Sequence, residues 1–131
     1  LGDSVEGKDV FVADDIIASG DSILDLAYNL KRRKAKRVFA GATFAFFTSG
    51  LEAFDKAYAE GVIDQVFATN LTYTPKEVLE RPWFSQADMS KYMAFVIATL
   101  NHDQSLSYLL NPWNRIEKLL TKYRADHPVE D

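Results

Sequence analysis

The sequence has no cysteine, which excludes disulfides and thiolate metal sites. It has only two histidines. His102 sits in a polar break after a helical stretch and reads as a surface residue, and His127 lies in the tail. No apolar run approaches the length of a membrane span, and the opening residues lack a secretory-signal pattern. Basic charge is not in excess: 15 Lys and Arg against 19 Asp and Glu leave a formal net charge of −4. That balance argues against non-specific nucleic-acid binding, and with no apolar span no membrane partner is expected either. Internal repeats and low-complexity segments are absent as well. The remaining composition, 47% hydrophobic and 26% charged over 131 residues, is that of one globular domain with a core. The cytoplasm is the expected compartment.

Against that plain background one stretch stands out, Val10-Phe11-Val12-Ala13-Asp14-Asp15-Ile16-Ile17-Ala18-Ser19-Gly20-Asp21-Ser22. An apolar run ends in two adjacent carboxylates, and a loop of small and hydroxyl residues leads into the amphipathic segment Ile23 to Leu30. This reads as a buried strand over Asp9 to Ala13, a polar loop at its carboxyl end, and a helix whose N-terminus faces that loop. Ligands of open parallel sheets bind in such crevices beyond the strand ends. Free amides at a helix start favour a phosphate. Carboxylates can hold sugar hydroxyls, or a hydrated magnesium ion indirectly, and Asp14 and Asp15 are the candidates. A phosphorylated sugar satisfies both halves.

The rest of the chain alternates strand and helix. Asp21 or Ser22 is expected to cap the first helix, with Ile23, Leu26, Ala27 and Leu30 packing on the sheet. The basic run Lys31 to Lys34 suits a solvated helix C-terminus. A second strand is expected over Val38 to Phe44. Ser49-Gly50-Leu51-Glu52 has capping-box spacing for a helix carrying Leu51, Phe54, Ala57 and Tyr58 on one face. A third strand runs from near Gln65 to Thr69-Asn70, where Thr69 and Asn70 either line the site or cap the strand end. Thr74-Pro75 opens a short helix, and Trp83 to Ala87 is a short edge strand. Asp88 or Ser90 caps a helix with Tyr92, Met93, Val96, Ile97 and Leu100 on its apolar face. Asn111-Pro112 caps a terminal helix anchored by Trp113, and the tail from Asp126 is frayed. Trp83-Phe84 and Phe44, Phe46 and Phe47 read as core or subunit contacts. The order predicts an α/β fold: three layers, α/β/α, around a mainly parallel sheet with right-handed crossovers, plus an extra C-terminal helix.

The strand, paired acids and small-residue loop resemble the phosphoribosyl-diphosphate (PRPP) motif of type I phosphoribosyltransferases. Two further segments resemble the ribose-phosphate diphosphokinase (PRPP synthetase) family, which shares that fold. Ala42 to Gly50 is similar to its Thr-His-...-Phe-Ser-Gly segment, and Ser105-Leu106-Ser107-Tyr108-Leu109-Leu110 to its Ser-Val-Ser-Tyr-Leu-Phe ending. Val66 to Asn70 sits where that family has a Val-Thr-Asn strand end. The resemblance implies that residues 1–110 are most of a C-terminal phosphoribosyltransferase-like half, and that 111–131 form an added helix and tail. Leu1 in place of Met, and a ligand strand so near the start, imply a fragment truncated at its N-terminus.

That resemblance implies a reaction in which the diphosphoryl group of magnesium ATP passes to the anomeric hydroxyl of ribose 5-phosphate, giving PRPP and AMP. Asp14 and Asp15 would bind the ribose hydroxyls. Ala18, Ser19, Gly20, Asp21 and Ser22 would wrap the 5-phosphate. The implied partners are ribose 5-phosphate, ATP with Mg2+, the missing N-terminal half and further copies of the chain, since the family forms homo-oligomers. The family's catalytic Lys and Arg come from the other half, so the fragment alone is expected to be inactive. Asp21 replaces a usual glycine, Ala18 a polar residue and Phe44 a histidine. These departures favour an alternative, a non-catalytic associated homologue that binds phosphates. A nucleotide-salvage phosphoribosyltransferase is a further alternative.

Overall fold

The structure, a computed structural model, describes residues 4–127. The elements run β1 (Asp9–Ile17), α1 (Asp21–Arg32), β2 (Arg37–Ala45), α2 (Glu52–Ala59), β3 (Gln65–Thr69), α3 (Lys76–Leu79), β4 (Phe84–Ala87), α4 (Ser90–Asn101), α5 (Ser107–Leu110) and α6 (Trp113–Asp126). They form two compact units that part between Met89 and Ser90. Among the described residues no helix is long and apolar enough to cross a membrane.

The first unit is an α/β fold on a four-stranded sheet in the order β1-β2-β3-β4, parallel throughout. Right-handed crossovers between sequential neighbours place α1, α2 and α3 on one face. On that face Val38, Ala40 and Ala42 of β2 and Val66 and Ala68 of β3 are buried, together with Ile23, Leu24, Ala27 and Leu30 of α1. Leu24 takes the place expected for Leu26, which is 42% exposed. The other face stays open within this unit, so residues 4–89 supply two of the three expected layers. Phe11 is 60% exposed there, and its ring lies 6.4 Å from that of Phe67. Gly41 makes this approach feasible, because a Cβ at that position would run into the Phe11 ring.

At the amino ends of β1 and β2, Asp9 and Arg37 are in register and joined by two hydrogen bonds, one of 2.9 Å from Arg37 Nε. The bond from Arg37 holds the Asp9 carboxyl below the ordinary carboxylate range. The basic run is spent nearby as well: Lys31 Nζ donates to the Lys36 carbonyl at 2.8 Å, and Lys34 pairs with Glu6 at 2.9 Å.

The core centres on an aromatic cluster. Trp83 and Phe54 are fully buried and stack with ring centroids 5.2 Å apart. Phe47 meets both edge-on, at 5.1 Å from Phe54 and 5.6 Å from Trp83. The Trp83 indole N–H donates to Asp55 Oδ1 at 2.7 Å. Arg81 Nε lies 3.0 Å from the same oxygen, without the alignment of a hydrogen bond.

Several expected helix starts are made differently. No side chain caps α1: its N-cap is Gly20, at φ 97°, and Asp21 is already in the first turn. The Ser49–Glu52 capping box does not form, since Leu51 is the N-cap of α2 and carries no side-chain bond. Tyr58, expected on the buried face of α2, is 39% exposed. Pro75 rather than Thr74 precedes α3 as its N-cap. In the second unit Asn111 Oδ1 accepts from the Trp113 amide at 3.2 Å, as expected of a cap. Trp113 itself is 70% exposed and anchors nothing. Ile97 and Leu100 of α4 are 63% and 56% exposed, so only part of that helix's apolar face is covered. The expected frayed tail beyond His127 lies outside the described residues.

Candidate functional site

β1 is longer than its apolar run. It continues through the carboxylates to Ile17, because Ile16 and Ile17 pair with Phe44 and Ala45 of β2. Asp14 and Asp15 therefore sit on the last turns of a strand rather than in a loop. Successive strand residues point to opposite faces, which separates the two side chains. Asp14 is in register with Ala42, and its Oδ1 accepts from the Asp15 amide at 2.8 Å.

The chain then leaves the sheet through Ala18, Ser19 and Gly20 and enters α1. Two backbone bonds fasten this loop to the segment after β2, Phe46 N to the Ile17 carbonyl at 2.8 Å and Thr48 N to the Ala18 carbonyl at 2.9 Å. Gly20 is buried. A Cβ there would lie inside the edge of the Phe54 ring. With φ at 97° as well, the position requires glycine on two independent grounds.

The loop encloses a cavity of about 100 Å³ lined by Asp14, Ile16, Ile17, Ala18, Ser19, Gly20, Ser22 and Ile23. Five of the seven predicted site residues, Asp14, Ala18, Ser19, Gly20 and Ser22, come together here. Asp15 and Asp21 are exposed and do not line it. The Ser19 hydroxyl donates to Asp21 Oδ2 at 2.8 Å, which holds that carboxylate at the loop's rim. The Asp21 amide donates to Ser19 Oγ at 3.4 Å, while the next amides of the first turn, at Ser22 and Ile23, carry no side-chain cap, and the helix dipole adds partial positive charge there. The hollow thus presents N–H donors at one end and a carboxylate acceptor at the other.

Asp14 also borders a second hollow, of about 270 Å³, over the open sheet face between Phe11, Gly41, Thr43, Phe67 and Thr69. No lysine or arginine lines either hollow. Among the described residues no three acidic or histidine side chains cluster as metal ligands. Thr69 and Asn70 serve the strand ends. Thr69 Oγ1 donates to the Thr43 carbonyl at 2.6 Å, while Asn70 bonds Asp88 and the Met89 amide at 2.7 and 2.8 Å. Phe47, Phe54 and Trp83 hold the loop from beneath. Their spacing carries only a core signal, and the one hint of a role was a glycine that must face something large.

Residues 1–111 match the family described as the phosphoribosyl synthetase-associated domain. A ribose-phosphate pyrophosphokinase of Vibrio cholerae is 38% identical over 111 residues, 85% of this chain and 34% of the relative. Human phosphoribosyl pyrophosphate synthase-associated protein 2 is 32% identical over 105 residues, covering 80% of this chain and 28% of that protein. The chain thus spans about a third of the length of the curated relatives it matches. The crystal structure of phosphoribosylpyrophosphate synthetase from Mycobacterium smegmatis superposes with a TM-score of 0.66 at 22% identity, over 78% of this chain and 33% of that one. That likeness carries the fold, and the two sequence matches are to ribose-phosphate pyrophosphokinases and to their associated proteins alike. With the parallel sheet, the loop and these matches together, the chain belongs to the phosphoribosyl synthetase-associated domain family.

Proposed function

We propose that this chain supplies the ribose 5-phosphate site of a ribose-phosphate pyrophosphokinase. The observation that carries the reading is the cavity in which Asp14 and the Ala18–Gly20 loop meet the uncapped start of α1. The loop amides and the Ser22 hydroxyl take the 5-phosphate, joined by the Ser19 hydroxyl once it turns from Asp21, and the Asp14 carboxylate accepts from ribose hydroxyls. In the whole protein the anomeric oxygen then attacks the β-phosphorus of magnesium ATP. Its proton is lost, the bond from that phosphorus to the oxygen of AMP breaks, and PRPP and AMP result. Such transfer depends on neutralising charge on the moving group, and no cation lines these hollows. This chain holds the acceptor and makes no PRPP by itself.

Calorimetric titration of the 131-residue chain with ribose 5-phosphate and magnesium tests the assignment. Asp14→Asn is expected to weaken binding by about 10- to 100-fold, the size of a lost charge-assisted hydrogen bond. Asp15→Asn, outside the cavity lining, is expected to have a much smaller effect. Equal binding by wild type and Asp14→Asn would refute the site.

A second reading, an associated protein without turnover, is favoured by the carboxylate of Asp21 at the loop rim. Asp21→Asn removes a negative charge near a bound dianion and is expected to tighten binding roughly three- to tenfold. A wild-type chain that fails to bind while Asp21→Asn binds would decide for this second reading.

A further inference from the structure

α6 presents an apolar strip to solvent. Trp113, Ile116, Leu120 and Tyr123 are 70%, 41%, 43% and 62% exposed, and their spacing is that of the a and d positions of a coiled-coil heptad. His127, the residue that ends the helix, stacks on Tyr123 at 4.3 Å and adds to the end of the strip. The contact α6 makes with α4 uses a different side. Arg115, about a third of a turn round from the strip, lies over the Tyr92 ring at 5.9 Å. The seam is therefore left uncovered by the helix's own unit.

The flanking positions identify what covers it. The two e positions are Glu117 and Arg124, both exposed. In a parallel pair of α6 helices e faces g, which sets Arg124 against Leu119 and matches no charges. Reversing one helix sets e against e. Glu117 then meets the partner's Arg124, and symmetry repeats the pair. In that register Leu120 faces the partner's Tyr123, and Ile116 the partner's His127, so the apolar layers stay aligned.

We propose that α6 is a self-association element that pairs antiparallel with α6 of a second copy along the Ile116–Leu120–Tyr123 seam, with reciprocal Glu117–Arg124 ion pairs fixing the direction. The element lies wholly past the residues matched by the family, and it stands or falls independently of the sugar-phosphate reading.

Sedimentation equilibrium of the 131-residue chain, from micromolar to near-millimolar concentration, tests it. The wild type is expected to move toward twice the chain mass. Leu120→Asp should weaken association at least ~100-fold, because it places a carboxylate in the seam. That side chain is exposed in the single copy, so far-UV circular dichroism at low concentration should not change. Glu117→Arg and Arg124→Glu each set like charges together and should weaken the dimer about tenfold. The double variant Glu117→Arg/Arg124→Glu restores opposite charges and should recover wild-type affinity. A wild type that stays monomeric throughout would overturn the proposal, as would a dimer indifferent to Leu120→Asp. A double variant no better than the singles would overturn the antiparallel pairing.

Discussion

Gly20→Ala is expected to destabilise the first unit by roughly 2–6 kcal/mol and to remove sugar-phosphate binding with it. Two separate costs combine. At φ 97° an L side chain is strained by about 1–3 kcal/mol. The new methyl would also enter the Phe54 ring, and forcing extra volume into a packed site costs about 1–3 kcal/mol more. Phe54 has little room to yield, since it is fully buried between Phe47 and Trp83. Gly20→Asn separates the two terms, because asparagine tolerates the left-handed region but keeps the Cβ. It should recover part of the strain and none of the clash. Urea unfolding measures both variants. A loss below about 1 kcal/mol for Gly20→Ala would mean that the loop re-forms around the methyl, and that Phe54 does not fix it.

Most of the frame that holds this loop was readable in advance, for a physical reason. Buried parallel strands leave apolar runs, and the segments around Val10, Val38 and Val66 lead to β1, β2 and β3. The errors collect where a local signal was overruled by tertiary packing. Asp14 and Asp15 look like the end of a strand, yet β1 continues because Ile16 and Ile17 still have β2 to pair with. Asp21 and Ser22 look like caps, yet Gly20 in the left-handed region turns the chain directly into α1, and Asp21 turns to Ser19 instead. The uninterrupted Val10-Phe11-Val12 run predicted cover on both faces, whereas Phe11 is 60% exposed. Periodicity shows that a side chain is apolar on a given face and does not show what meets that face. The same reason explains Trp113, correctly placed on the apolar side of a helix and yet uncovered. At the site, the residue types and their order were legible. The division of Asp14 inside the cavity from Asp15 and Asp21 outside it was not, since it depends on pleat and on one hydrogen bond.

Trp83→Ala is expected to cost about 3–5 kcal/mol, the range for truncating a fully buried large aromatic. For a unit of this size that corresponds to a melting temperature lower by on the order of 15–30 °C. The indole contacts Phe47, Phe54 and Phe84 at centroid distances of 5.6, 5.2 and 6.2 Å, and it also donates the bond to Asp55. Trp83→Phe keeps most of the packing and loses the donor. Its cost should be nearer 1–2 kcal/mol, because Asp55 still faces Arg81. The informative result lies in the combination with Gly20→Ala. Removing the indole frees the face of the Phe54 ring on which it stacks, so the ring can swing aside from a methyl that meets its edge at position 20. The left-handed strain stays while the collision is relieved. In a double-mutant cycle Gly20→Ala should therefore cost about 1–3 kcal/mol less in the Trp83→Ala background than in the wild type. Strict additivity would show that Trp83 does not press Phe54 against the loop. The coupled result would show that the aromatic core sets the shape of the loop above it, through the one ring that meets Trp83 by its face and Gly20 by its edge.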